Sequence, residues 1–454
     1  MGRKYHAKIN LISGYLHFDG EPMRKHLFYL SLIAFFVACA DYDHNVNQNS
    51  HNLEYSHYDV QLQIVPSDQF IRVSGSLKYL INQDSLDELS FNLHKNFVIS
   101  KFSVNGDDSY QLDTSNTNIR WLPDAIQIIY TTKKKYSKGD ILNVEFSYQG
   151  QITEWPGWSA NVINADWVEM GLYFPWYPSI YGEFTYKVSV DIEPGYNVFV
   201  IGESKEKNNK KIFETNFPVY DFVICASKDL TIRETKLLNQ SFKIVNCTLS
   251  ETTIDSIQAD IENIHKLYSS WFGKIQVQDM CLVISKREKG GGYSRKGGLF
   301  LGGVSDSSYL NDRSDFIQYV GHEIAHFWWN GAASNWEDWL NESFAEYSAI
   351  SLIRELCGKA EFYTKLNLKK SESTSTPSIW GISRNDPFAE QVLYSKGVIL
   401  LNELEQKIGE NKFQELCRSR IDKKINNTLE FLNLIKDICG KEIADWFEQS
   451  LKTR

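Results

Sequence analysis

The spacing of apolar residues changes once along this chain of 454 residues, and that change constrains its fold more than any other feature. Before about residue 250 the period is two. Tyr58, Val60, Leu62 and Ile64 alternate with polar residues. Ile71, Val73, Leu77 and Tyr79 do the same after a turn at Pro66-Ser67-Asp68, as do Leu142, Val144, Phe146 and Tyr148 after Lys138-Gly139-Asp140. Alternation punctuated by turn residues buries one face of each strand and predicts antiparallel sheet. From Ile254 the spacing turns helical, through Ile257, Ile261, Ile264 and Leu267. With 42% hydrophobic residues the chain can fill two cores. The expected architecture is multidomain, α and β: an all-β domain over residues 53–232, then a mainly α-helical domain over 233–454. Within the second, a strand is predicted over 280–285. Helices are predicted over 397–408, 411–421 and 428–439, with a short one ending at Leu451. Trp155, Trp158, Trp167 and Trp176 lie close together in the first domain; they can line a pocket, but aromatic core is the favoured reading.

Within the helical half stands His322-Glu323-Ile324-Ala325-His326. Helix residues four apart share a face, so His322 and His326 can present two imidazoles to one Zn²⁺. Glu323 is offset by one step, beside the metal rather than on it, where a water-activating carboxylate belongs. A catalytic zinc site needs a third protein ligand and an open position. Downstream, Trp339-Leu340-Asn341-Glu342-Ser343-Phe344-Ala345-Glu346-Tyr347 opens an apolar helical stretch reaching about Leu356. Glu342 and Glu346 lie one turn apart on one face of it. Bare carboxylates on so apolar a helix are costly, and a zinc ion would offset that cost. By spacing alone, either of the two can be the third ligand.

His-Glu-x-x-His followed by Trp-Leu-Asn-Glu resembles the M1 metallopeptidases, the gluzincin group that includes aminopeptidase N and leukotriene A4 hydrolase. The resemblance implies Glu342 as the third ligand, with Glu346 behind it orienting a ligand histidine. Fifteen residues separate His326 from Glu342, fewer than is usual in the family. The shortening falls in the 330–338 connection, which can contract without moving either helix. Leu393-Tyr394-Ser395-Lys396-Gly397 resembles the family's Tyr-x-Lys-Gly segment. This implies Tyr394 as hydrogen-bond donor to the oxyanion of a tetrahedral intermediate, a role suited to a phenol that is neutral at pH 7. Zinc would acidify a water, and Glu323 would take its proton and pass it to the leaving nitrogen.

Residues 172–178 and 184–190 resemble the saddle-like β domain that precedes a thermolysin-like catalytic domain in the family. Lys289-Gly290-Gly291-Gly292-Tyr293-Ser294-Arg295 stands where the family has Gly-x-Met-Glu-Asn. There the backbone pairs with bound peptide and the Glu anchors its free amine. Gly290, Gly291 and Gly292 suit the first role, since a backbone without side chains admits close approach. The Glu is missing. Tyr293 stands at its position, and Arg295 reads as a contact for a substrate carboxylate or carbonyl. The family's large helical C-terminal domain is not expected in this chain.

A net charge of −9 argues against nucleic-acid binding through a basic surface. No apolar run has the length of a membrane-spanning helix. Met23-Arg24-Lys25-His26, an apolar stretch over 27–38 and then Cys39 read as a bacterial lipoprotein signal, with Met23 as the true start and Cys39 as the lipidated residue. Residues 1–39 are then upstream segment and signal, and 40–52 a polar tether. Cys225, Cys247, Cys281, Cys357, Cys417 and Cys439 form no Cys-x-x-Cys pair and read mostly as small core residues. The expectation is a peptidase with one zinc ion, taking short peptides from the N-terminus. A lipid would anchor it in a bacterial cell envelope, facing the periplasm or the cell surface. The missing Glu keeps open an endopeptidase or other amide hydrolase that needs no free N-terminus. A zinc-bearing binding lipoprotein without turnover is the third reading.

Overall fold

The computed structural model describes residues 53–453, apart from 116–121, 123, 156–159, 172–173, 181, 208–209, 216, 238–239, 275–279 and 288–290. The expected signal, Cys39 and the tether lie outside the described residues, as do Trp158 and Gly290.

The alternating segments of the first half form strands. Ser56–Val65 lies inside a seven-stranded sheet, antiparallel to Phe70–Leu80 and parallel to Phe184–Ile192. Ile141–Gln151 extends the sheet beyond Phe70–Leu80. The inward residues Tyr58, Val60, Ile64 and Val73 are fully buried, and they share one core with residues of a three-stranded and a four-stranded sheet. Trp167 and Trp176 are buried, and Trp155 meets Phe174 edge-on, so the described tryptophans of this region serve packing.

The second half begins on a five-stranded sheet ordered Thr231–Leu237, Gln240–Asn246, Met280–Ile284, Gly298–Gly302, Gly291–Arg295. The expected division at 232/233 falls within its first strand. Helices follow and interleave: α1 (Glu251–Phe272), α2 (Asp306–Asn311), α3 (Arg313–Ala325), α4 (Trp339–Leu356), α5 (Lys359–Glu372), α6 (Ala389–Gln391), α7 (Gly397–Ile408), α8 (Glu410–Asp422), α9 (Thr428–Cys439) and α10 (Lys441–Lys452). α4 is buried along nearly its whole length, from Trp339 to Ile353, which makes it the central helix of this half. Two elements differ from expectation. α10 is a full helix rather than a short segment. α5 went unpredicted because its inward stripe is Phe362, Lys365, Leu366 and Lys369, and two lysines in a buried stripe hide the helical period.

The two halves meet through Trp167, Phe199, Val223 and Cys225 on one side and Val245, Cys281, Val283 and Phe300 on the other. At this seam lies a buried carboxylate, Glu169. It accepts from Trp167 Nε1 at 3.0 Å, Ser285 Oγ at 2.6 Å and Tyr293 Oη at 2.8 Å, and Arg287 Nε lies 3.3 Å away. Four donors balance the cost of burying that charge. The six described cysteines are free thiols; Cys225, Cys281 and Cys417 are buried and the others half-buried. Among the described residues no helix is long and apolar enough to cross a membrane.

Candidate active site

α3 carries His322 and Glu323. His326 caps it in right-handed helical conformation (φ −62°, ψ −12°), so the two histidines keep a common face. α4 presents Glu342 in its first turn and Glu346 a turn later. His322 Nε2 and His326 Nε2 lie 3.1 Å apart, and Glu342 Oε2 is 3.4 Å from the first and 3.5 Å from the second.

The remaining ring nitrogens decide what this triangle is for. His322 Nδ1 lies 2.8 Å from Glu346 Oε2, and His326 Nδ1 2.9 Å from the Trp329 carbonyl oxygen. Both oxygens only accept, so both Nδ1 atoms carry hydrogen and donate. The two Nε2 lone pairs then face each other and Glu342 Oε2, which has no hydrogen-bond partner among the described residues. Three buried acceptors converging on one point require a cation. Tetrahedral zinc with ligands at about 2.0–2.1 Å sets them about 3.3 Å apart, the size of this triangle. The donor set therefore fits one zinc ion, and it is the group of His, Cys, Asp and Glu able to hold a metal among the described residues. Without the ion, protons take its place. Burial opposes charge on His322, but Glu342 and Glu346 outweigh it and raise the imidazole to about 10.

Behind the triangle, Glu346 is braced from three sides. Besides His322, its Oε1 accepts from Gln318 Nε2 at 2.6 Å and forms an ion pair with Lys369 Nζ at 2.7 Å. Burial works against this carboxylate, yet Lys369 and His322 hold it well below the usual range. The short 330–338 connection is closed by Asn341. Its Oδ1 accepts from the Ala332 amide at 3.1 Å, and its Nδ2 donates to the Ala332 carbonyl at 3.0 Å and to Asp338 Oδ1 at 2.9 Å. The Asn of Trp-Leu-Asn-Glu thus holds the shortened loop against the helix that bears Glu342.

Glu323 is half-buried beside the imidazoles, and its charge is felt by both. It makes no hydrogen bond among the described residues. Tyr394 stacks on the His322 ring, centroids 5.6 Å apart, close enough for the Glu342 charge to act on its phenol. Burial and the Glu342 charge push this phenol well above its usual range, so it remains a donor. Its place is fixed by a π turn, Val392–Lys396. Ser343 Oγ donates to the Leu393 carbonyl at 2.6 Å, and Lys396 Nζ donates to the Pro377 and Thr453 carbonyls at 3.0 and 3.1 Å. Gly397 lets the turn touch α4: a Cβ there would lie 1.9 Å from Ser343 Oγ.

The glycine-rich strand differs from expectation in its side chains. Tyr293 does not face a cleft; it is 6% exposed, stacks on Phe300 at 4.8 Å and donates to Glu169. Arg295 Nε donates to Asp221 Oδ2 at 2.8 Å, and its guanidinium covers the Tyr293 ring at 4.8 Å. Strand alternation is the reason: residues 293 and 295 share the face turned to the β domain. Gly292 faces the other way, where an added Cβ would lie 2.5 Å from Tyr319 Oη on α3. Gly291–Arg295 is the last strand of its sheet, paired on one side with Gly298–Gly302. Its outer backbone edge is unpaired among the described residues.

Three contributors escaped the sequence reading. Gln318 carried no signal beyond its helix, and Lys369 lies in a helix whose period its own buried lysines hide. Arg384, whose Nε lies 3.2 Å from Asp338 Oδ2, sits in an irregular segment with no motif.

Comparison with known proteins agrees with this geometry. Residues 299–449 match the Peptidase family M1 domain. The chain is 28% identical over 123 residues to endoplasmic reticulum aminopeptidase 2 of Homo sapiens, covering 24% of this chain and 13% of that protein. It is 26% identical over 164 residues to probable aminopeptidase 1 of Saccharolobus solfataricus, covering 32% and 21%. The chain thus spans about a fifth or less of the length of the curated relatives it matches. In fold it is similar to an M1 zinc metallopeptidase from Deinococcus radiodurans, with a TM-score of 0.59 and 16% identity, covering 89% of this chain and 95% of that one. It is also similar to leukotriene A4 hydrolase from Saccharomyces cerevisiae, with a TM-score of 0.58 and 18% identity, covering 88% and 68%. A mutant of the Deinococcus enzyme is described bound to a Tyr-Ser-Ala substrate.

Proposed function

From the premise that this chain belongs to peptidase family M1 through residues 299–449, we propose that it hydrolyses short peptides as an aminopeptidase using one zinc ion. His322, His326 and Glu342 hold the ion, and Glu346 and the Trp329 carbonyl fix the imidazoles from behind. Bound there, zinc supplies a Lewis acid that polarises water and the scissile carbonyl. Glu323, a carboxylate beside both imidazoles with no hydrogen bond to occupy it, takes the proton of the attacking water and hands it to the leaving nitrogen. Tyr394 donates its hydroxyl hydrogen to the developing oxyanion. The peptide lies along the outer edge of Gly291–Arg295 as an added strand. The tripeptide bound to the Deinococcus enzyme supports a short peptide as substrate.

The observation that carries this reading is the convergence of two tautomer-locked imidazoles and an unpartnered carboxylate oxygen. Its test is hydrolysis of an aminoacyl-chromophore panel with and without a chelator, which should abolish turnover. A second reading, an amide hydrolase or endopeptidase indifferent to the N-terminus, is favoured by one feature: Gly291–Arg295 contains no carboxylate to hold an amine. Comparing free with N-acetylated peptides separates the two, since an aminopeptidase loses the blocked ones. We also propose lipid attachment at Cys39 in a bacterial envelope. A mature chain lacking a lipid-sized mass increment would refute it.

A further inference from the structure

We infer that Glu372 is a positioning residue for the oxyanion donor: through the Ser395 hydroxyl it holds the turn that carries Tyr394 beside His322. This rests on the peptidase reading above and extends it to α5, a helix outside every motif of the chain.

Tyr394 sits in the middle of a π turn, closed by the Gly397 amide donating to the Val392 carbonyl five residues back. Such a turn interrupts the regular α ladder, so contacts from outside fix its shape. The residue before Tyr394 is tied to α4, where Ser343 Oγ donates to the Leu393 carbonyl at 2.6 Å. The residue after it is tied to α5: the buried Ser395 donates through Oγ to Glu372 Oε2 at 2.7 Å. A hydroxyl on a carboxylate makes a short, charge-assisted bond. Glu372 is itself held. Lys369, three residues earlier on the same face of α5, has its Nζ 4.0 Å from that Oε2 and 2.7 Å from Glu346 Oε1. The other Glu346 oxygen faces His322 Nδ1 at 2.8 Å. The Lys369 side chain is 1% exposed, so its charge is little screened and draws both carboxylates. The contacts form a closed circuit. It runs from His322 through Glu346, Lys369, Glu372 and Ser395 to the Tyr394 turn, and the Tyr394 ring returns to His322, centroids 5.6 Å apart. α5 thereby fixes where the phenol stands relative to the imidazole. Glutamine at 372 would keep an oxygen for Ser395, and alanine would not.

The test compares E372A, E372Q and S395A on the zinc-loaded full chain, together with E372A combined with S395A and with Y394F. Four readouts are followed: kcat and KM for an aminoacyl-chromophore substrate, affinity of a peptidyl phosphinate by calorimetry, zinc affinity by competition, and hydrogen exchange of residues 392–397 by mass spectrometry. E372A should lower kcat about 5–20-fold with KM within about twofold, and weaken the phosphinate about tenfold. It should speed exchange in the turn about tenfold. E372Q should stay within about threefold of wild type on each readout. S395A should match E372A, and the pair together should be no worse than either, because both remove the same bond. In the Y394F background E372A should change kcat by less than about twofold, since the group it positions is gone. Zinc affinity should stay within about threefold of wild type, because Glu346 keeps Lys369. Wild-type kcat and exchange in E372A would overturn the inference. So would an E372A loss undiminished by Y394F, or one that follows lost zinc. Zinc-loaded wild type that neither cleaves the substrate nor binds the phosphinate would overturn the peptidase reading and this role with it, a result read on wild type alone and so distinct from the others.

Discussion

Replacing Gly397 with alanine should silence the enzyme while leaving its metal in place. The added Cβ would sit 1.9 Å from Ser343 Oγ and 2.6 Å from Ser343 Cβ. Ser343 is fully buried on α4, and its hydroxyl already donates to the Leu393 carbonyl. Neither atom can swing away, so the π turn must lift from the helix by about 1 Å to restore ordinary contact. Overpacking of this kind costs about 1–3 kcal/mol, and the lost hydrogen bond about 1 kcal/mol more, so G397A should lose about 2–4 kcal/mol of stability. The turn carries Tyr394. A donor displaced by about 1 Å should cost on the order of 100-fold in kcat. The residues proposed to hold zinc lie on α3, its C-cap and α4, so zinc stoichiometry should be that of wild type. Unfolding, metal content and aminoacyl-chromophore turnover are measured together. Adding Ser343→Gly removes both atoms the methyl meets, and should bring turnover back to within about tenfold of wild type. G397A with wild-type stability and kcat, or a double variant no better than G397A, would refute the reasoning.

Three further outcomes are expected. Glu346→Ala should weaken zinc binding about 10–100-fold and destabilise the chain by about 3 kcal/mol, because buried Lys369 loses its 2.7 Å ion pair and keeps the longer one to Glu372 at 4.0 Å; adding Lys369→Met should restore stability but not affinity. Zinc affinity measured by competition should rise about tenfold per pH unit up to about pH 10, since the metal-free site holds a proton on His322 that zinc must displace. His265 lies fully buried with both ring nitrogens unpartnered among the described residues, and burial lowers it from 6.5 to about 4. Between those values the unfolded chain binds the extra proton, so stability is full above pH 6.5 and erodes as pH falls. The loss is complete at about 4, at roughly 3 kcal/mol. Urea melts of His265→Leu should show a flatter acid limb, and an unchanged slope would contradict this.

The triangle of His322, His326 and Glu342 was legible because its spacing is itself helical geometry: two imidazoles four apart and two carboxylates four apart define faces before any fold is known. The switch of period from two to helical likewise placed the β-rich half ahead of the helical one. What surrounds the ligands was not legible, because partners come from distant sequence. Tyr293 meets Glu169 from 124 residues away, and Arg295 meets Asp221 from 74. Nothing local says that the face carrying 293 and 295 turns toward the β domain. Lys369 was hidden for another reason. A lysine in a core stripe looks like a break in the pattern until its partner Glu346 is seen across the helix pair.

Everything proposed for this site depends on His322, His326 and Glu342 together holding one zinc ion. Mass spectrometric metal content of dialysed wild-type chain, His326→Ala and Glu342→Ala, each checked for folding by circular dichroism, tests it most directly. One zinc per chain is expected in wild type and far less than one in both variants. A wild-type chain free of zinc after metal loading, or a folded Glu342→Ala variant that keeps its full equivalent, would contradict it.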